Sequence, residues 1–153
     1  MFIHKTGDIF STTMPAICHG VNTYAMMGGG IAAIIAVKFP AVLEPYKQAC
    51  WSKELVPGGF QAVKVEEDPD FYIFNLASQQ KPGADASVEW LESSMEEAIT
   101  YAKENGFVGF AVPRIGARIG GLDWETESKP IMEKIAARED SLTIEIWSLP
   151  DAD

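Results

Sequence analysis

The chain has 153 residues, 47% of them hydrophobic, and a formal net charge of −10. That length and apolar content suit one folded domain with an ample core and exclude a disordered segment. The acidic balance argues against general nucleic-acid binding, which needs a basic surface to displace counterions, but not against a small anionic ligand held by backbone amides.

No apolar run reaches transmembrane length; residues 31–37 are the densest and fall far short. Met1-Phe2-Ile3-His4-Lys5 lacks the apolar stretch of a secretory leader. Two cysteines, Cys18 and Cys50, make neither a disulfide framework nor a metal site. The expectation is a cytoplasmic monomer, away from membranes, with no metal and no cofactor.

In chain order, residues 2–5 predict a short strand, and 6–10 a turn carrying Asp8. Asp8 is either a turn former or an acceptor for the exocyclic amine of a base. Residues 15–21 are apolar and β-prone except for His19, which predicts a buried strand. A polar loop leads to Gly28, Gly29 and Gly30, which open an apolar helix over 31–39. Pro40 interrupts it, and a second helix over 42–51 carries Pro45 near its start, where proline is tolerated.

Residues 57–59 are a turn. Residues 60–65 alternate and 71–77 are strongly β-prone, an antiparallel pair across the acidic turn 66–70, with the second strand central to the sheet. After a polar loop, 87–105 is the best helix. Ser87 is its N-cap, and Trp90, Leu91, Met95, Ala98, Ile99 and Ala102 form one apolar face. Residues 109–113 are a short buried strand. Residues 114–122 form a second glycine loop, followed by a helix over 124–137 that Asp123 caps and Pro130 splits or kinks. Residues 142–148 are the last strand. Trp51, Trp90, Trp124 and Trp147 read as core or half-core anchors. Strands alternating with helices predict a single α/β domain over 1–153, a mixed sheet between helices.

Both glycine loops leave a strand and lead to a helix. Free N–H groups and the helix dipole favour an anion there, although Gly28–Gly30 also fits a plain tight turn. In open α/β sheets ligands sit outside the carboxyl ends of strands, so the two loops can meet over one crevice and clamp a diphosphate. Neither matches the dinucleotide fingerprint or a Gly-Lys-Ser/Thr phosphate loop. His19 is either a satisfied core residue or the titrating group beside the first loop.

Gly7-Asp8-Ile9, the strand leading to Asn22, Gly28-Gly29-Gly30-Ile31-Ala32 and Pro113-Arg114-Ile115-Gly116 through Gly121 together resemble the macro domain family. The resemblance covers nearly the whole chain, in order and spacing. It implies a three-layer α/β/α sandwich that binds ADP-ribose. Asp8 would hold the adenine amine with Ile9 nearby, and Asn22 would contact the distal ribose. Gly28, Gly29, Gly30 and Ile31 would wrap the diphosphate and distal ribose through backbone amides, opposite Gly116, Ala117, Arg118, Ile119, Gly120 and Gly121. Tyr24 and Met27 would line the distal pocket or pack against the next helix.

The His19-Gly20-x-Asn22 start and Asn75-Leu76-Ala77-Ser78-Gln79 are most similar to the type that dephosphorylates ADP-ribose 1″-phosphate. That likeness implies catalytic roles for Asn22, positioning substrate, and for His19, orienting or activating a water or protonating the leaving oxygen. The 114–125 stretch also resembles the branch that removes ADP-ribose from glutamate or DNA. That branch uses a lysine after the central strand and, in its glutamate-directed members, an aspartate in the second glycine loop. Gln79 and Gly120 stand at those positions, with Lys81 close by in sequence, and this counts against lysine-dependent chemistry. Arg118, where a small residue is usual, would obstruct the groove or pair with phosphate. Gly120, where many members carry an aromatic, implies a more open distal end that suits an extra phosphate. The expected function is a phosphatase acting on ADP-ribose 1″-phosphate. The alternatives are a non-catalytic ADP-ribose binder and a hydrolase removing ADP-ribose from protein or DNA.

Overall fold

A computed structural model describes residues 1–116, 120–138 and 141–149. Six strands form one sheet: β1 (Phe2–Thr6), β2 (Ala16–Gly20), β3 (Phe60–Glu66), β4 (Phe71–Leu76), β5 (Gly109–Val112) and β6 (Thr143–Ser148). Their order is β1-β6-β5-β2-β4-β3. All neighbours are parallel except β3, which runs antiparallel to β4 at the edge. The expected hairpin forms, and β4 is an interior strand paired with β2 on one side and β3 on the other, while β5 and β2 hold the middle of the six.

Side chains alternate across β2, so it feeds two cores. Ala16 and Cys18 join Phe74, Leu76, Leu91 and Met95 under α3 (Val88–Glu104) and α4 (Lys129–Ala136). Ile17 joins Ile35, Val42 and Ile73 under α1 (Gly30–Lys38) and the turn before α2 (Leu43–Ser52). Helices on both faces of a largely parallel sheet make the three layers expected.

Local chemistry sets the helix ends. Ser87 caps α3, its hydroxyl accepting from the Trp90 N–H at 3.1 Å. Asp123 accepts from the Thr126 N–H at 2.9 Å. The helix expected over 124–137 is divided into a π-helical stretch, Trp124–Ser128, and then α4, whose second residue is Pro130. Proline has no N–H for the carbonyl four residues back, so the chain rewinds ahead of it.

The parallel strands end at one rim. The segments that follow β1, β2, β4, β5 and β6 therefore face one another there.

Candidate functional site

These segments enclose a cleft of about 690 Å³. Its long direction follows the strand order. From β1 across β6, β5 and β2 to β4 is four strand spacings, about 19 Å at ~4.8 Å each.

At the β1–β6 end, Asp8, Ile9 and Phe10 line the cleft with Trp147 and Leu149. Asp8 opens a short 3-10 turn, one carboxylate oxygen accepting from the Phe10 N–H at 2.9 Å. Buried Glu145 ties this turn to β6. It accepts from Thr12 Oγ1 at 2.7 Å and from the Trp147 indole N–H at 3.0 Å, and it pairs with Lys5 at 3.6 Å. The result is an apolar slot with one carboxylate at its lip, suited to a flat heteroaromatic ring.

In the middle, Gly28, Gly29, Gly30 and Ile31 face Gly116 and Gly120 across the cleft, so the two glycine loops do meet. Helix α1 starts behind Gly29 with no side-chain cap and no acidic residue in its first turn. Its leading N–H groups are left for an anion, which the helix dipole also favours. Gly116 is forced by geometry. Its φ is +84°, and a Cβ there would lie 2.7 Å from Leu122 Cδ1. Ala117, Arg118 and Ile119 lie outside the described residues. Gly121 is a correction: it does not line the cleft, and a Cβ there would lie 2.8 Å from the Ala84 Cβ, so it packs against the 78–86 loop. Arg114 lines the cleft, held by a 3.0 Å bond from its Nε to Ser148 Oγ and by the Trp124 ring 5.5 Å away.

Asn22 also lines the cleft, but its side chain is already engaged. Its Oδ1 accepts from the Tyr24 N–H at 2.9 Å, and its Nδ2 donates to the Met26 carbonyl at 2.9 Å. Buried Tyr46 donates from its hydroxyl toward the Asn22 carbonyl at 2.8 Å and Oδ1 at 3.0 Å. Asn22 thus builds the loop that carries the first glycines. Met26, rather than Tyr24 or Met27, reaches the cleft; Met27 packs between two apolar clusters.

His19 does not lie at the cleft, which corrects its expected role as a catalyst. It is fully buried on the α1–α2 face of the sheet, in register with Asn75. Three bonds fix its state. Gln61 Nε2 donates to the Pro45 carbonyl at 3.0 Å, Asn75 Nδ2 donates to Gln61 Oε1 at 2.9 Å, and His19 Nε2 donates to Asn75 Oδ1 at 2.7 Å. The chain of bonds places a proton on Nε2, while Nδ1 has no partner among the described residues. Burial lowers its pKa from 6.5 to about 4, the bond to Asn75 opposing only part of that shift.

At the β4 end the cleft is lined by Ser78 and Gln79. The Gln79 Nε2 donates to the carbonyls of Lys81 at 2.7 Å and Gly83 at 2.8 Å. Lys81 itself is exposed and does not line the cleft. Among the described lining residues the ionisable side chains are Asp8 and Arg114. Sequence reasoning missed Phe10, Trp147, Leu149 and Ser78. The available signal was topological, since each follows or ends a strand whose carboxyl end opens on this rim.

The family model described as Macro domain matches residues 18–131. A DNA ADP-ribosyl glycohydrolase of Mycobacterium tuberculosis is 27% identical over 126 residues, covering 82% of this chain and 36% of that protein. The chain thus spans about a third of the length of the first curated relatives it matches. An ADP-ribose 1″-phosphate phosphatase of Candida albicans is 28% identical over 146 residues, covering 87% of this chain and 93% of that protein. The solved structure of Thermosipho africanus DarTG in complex with ADP-ribose superimposes with a TM-score of 0.84 at 25% identity, over 95% of this chain and 40% of that one.

Proposed function

The chain therefore belongs to the macro domain family, and from that premise we propose that it binds ADP-ribose along the cleft and hydrolyses ADP-ribose 1″-phosphate. The observation that carries this is the meeting of both glycine loops midway along a cleft about 19 Å from end to end. Adenine fits the slot of Ile9, Phe10 and Trp147, with Asp8 accepting from its amine. The diphosphate lies between the amides at the start of α1 and those of the second loop. The distal sugar then reaches the end formed by β4. The similarity to the Candida albicans phosphatase, over nearly the whole of that protein, supports the reaction.

Hydrolysis adds water to phosphorus and breaks the bond to the anomeric oxygen, which leaves with a proton. His19 is fully buried and does not line the cleft, so the protons exchange with solvent. The amide cradles contribute by stabilising charge on the phosphoryl oxygens. Hydrolysis that relies on such stabilisation alone should be slow and free of a histidine-type break near pH 6.5.

The likeness to a DNA ADP-ribosyl glycohydrolase favours a second reading, removal of ADP-ribose from a macromolecule. Against it, no lysine among the described residues lines the cleft, and the Gln79 amide occupies the end where one would act. The test is a substrate panel. Calorimetric binding of ADP-ribose with phosphate release from the 1″-phosphate is the expected result. Binding without turnover would leave a non-catalytic binder, release of ADP-ribose from modified DNA or protein would favour the second reading, and absence of binding would end both.

A further inference from the structure

Glu145 is a carboxylate in the middle of a sheet. It stands on β6 in register with Ile3 of β1 and Ala111 of β5, and it is 3% exposed. Burying a charge costs stability unless its partners repay it. The Lys5 ammonium is 3.6 Å away on a half-exposed side chain, which repays little. A leucine would serve the sheet at least as well. What the carboxylate does that an apolar side chain cannot is accept two further bonds, and these come from the two walls of one slot.

Trp147 is one wall. It lies two residues beyond Glu145 on the same face of β6, and it lines the cleft. Its indole N–H donates to Glu145 Oε1 at 3.0 Å. A ring turned over would point that N–H elsewhere, so the bond selects one orientation of the indole. The Lys5 ammonium stands 5.7 Å from the centre of the same ring. The 3-10 turn of Ile9, Phe10 and Ser11 is the other wall. Thr12 closes it, its N–H donating to the Ile9 carbonyl at 3.0 Å. The Thr12 hydroxyl donates to the same Oε1 at 2.7 Å and accepts from the Met14 N–H at 3.1 Å. One oxygen thus ties the indole to the turn that Asp8 opens.

We propose that Glu145 is a positioning residue for base recognition, a deepening that rests on the ADP-ribose reading above. It does not line the cleft itself; it sets the gap between the indole and the turn, and with it the place of Asp8 at the lip. A flat bicyclic base fills a slot held at one width, and its exocyclic amine meets Asp8 only while the turn stays docked on β6. With both bonds gone the indole can turn and the 3-10 turn can shift, so the slot no longer favours a purine over a smaller pyrimidine. The grip on the diphosphate lies elsewhere, at the amide cradles, and is untouched. Glu145 acts as an acceptor, so an amide oxygen in its place can do the same.

The experiment is calorimetry of ADP-ribose, ADP and UDP. ADP keeps the adenosine and diphosphate of ADP-ribose without its distal sugar, and UDP differs from ADP in the base alone. The wild type should bind ADP at least about tenfold more tightly than UDP. Glu145→Leu should weaken ADP about tenfold and leave UDP within about twofold. Glu145→Gln, whose amide oxygen still accepts both bonds, should keep ADP within about threefold of wild type. The indole N–H resonance of Trp147, assigned by its absence in Trp147→Phe, should stay in place in Glu145→Gln and move in Glu145→Leu. Should Glu145→Leu fail to fold, Thr12→Val removes one of the two bonds and decides instead, with ADP weakened about threefold and UDP unchanged. The positioning role is refuted if the leucine variant keeps the preference for ADP, if it loses both nucleotides alike, or if Glu145→Gln loses as much. A wild type that binds ADP-ribose but takes ADP and UDP equally overturns this inference and leaves the ADP-ribose reading standing; one that binds no ADP-ribose overturns both.

Discussion

Strands β2 and β4 carry two polar clusters a few residues apart, and the two have opposite character. His19, Asn75 and Gln61 pass hydrogen bonds in one direction to the Pro45 carbonyl, under the α1–α2 layer. Just beyond, at the strand ends, Ser78 and Gln79 present a hydroxyl without an internal partner and a carbonyl turned to the cleft. The first cluster leaves His19 Nδ1 without a partner as well, but it lies inside the sheet and does not line the cleft, so it serves to hold the strands together. The second borders the cleft, although the Ser78 hydroxyl itself is fully buried. An unbonded buried polar group is informative about a site only where it borders a cavity, as Ser78 does and His19 does not.

The largest effect should come from opening the closed cluster. Asn75→Leu leaves the His19 N–H and Gln61 Oε1 facing an apolar side chain. Two stranded groups at roughly 1–3 kcal/mol each should lower stability by about 4 kcal/mol in urea unfolding. The affinity of the still-folded protein for ADP-ribose should stay within about threefold of wild type. A large loss of affinity with little loss of stability would reverse the assignment of the two clusters.

Protonation breaks the same cluster without a mutation, and the sign is fixed. The unfolded chain takes up a proton on His19 as pH falls below 6.5, whereas the folded chain resists until about 4. Stability from the neutral ring is therefore complete above pH 6.5 and is lost progressively between 6.5 and about 4, to a total of about 3 kcal/mol. Denaturant midpoints at several pH values should show this slope, and His19→Gln should flatten it.

How much of this was legible beforehand follows from the same contrast. The layers, the caps at Ser87 and Asp123, and the meeting of the glycine loops follow from periodicity and from strand-loop-helix order, which are local. The fate of His19 depended on its register with Asn75, two strands that meet only in the folded sheet. Trp147 read as a core or half-core anchor, with no ligand-facing role, because nothing local shows that β6 ends at the cleft rim. Gly121 read as a ligand contact because a run of glycines does not reveal which of them packs against Ala84. Pro130 announced a break but not the π-helical winding before it. Contacts set by tertiary register are invisible to a pattern read along the chain.

Gly20→Ala tests whether the open cluster depends on the room beside it. The new methyl would crowd Ser78 Oγ at 2.6 Å and Ile115 Cγ2 at 3.2 Å. Turning the serine away relieves most of the clash, so the expected loss of stability is about 1–2 kcal/mol. ADP-ribose affinity should fall more than ADP affinity. An equal fall for both would mean that the substitution distorts the whole cleft instead of its β4 end.

The smallest effect belongs to Asp8, which combines the two characters. Its carboxylate caps the turn through the Phe10 N–H and also lines the opposite end of the cleft. Asp8→Ala removes both functions, at about 1 kcal/mol of stability. Asp8→Asn keeps the capping oxygen, so its stability should remain within about 0.5 kcal/mol of wild type. Either change should weaken ADP and ADP-ribose by the same factor, because both ligands carry the adenine that this end would hold. If Asp8→Ala separated the two nucleotides, the ligand would lie along the cleft in the opposite sense, with its sugar beside Trp147 and its base above β4.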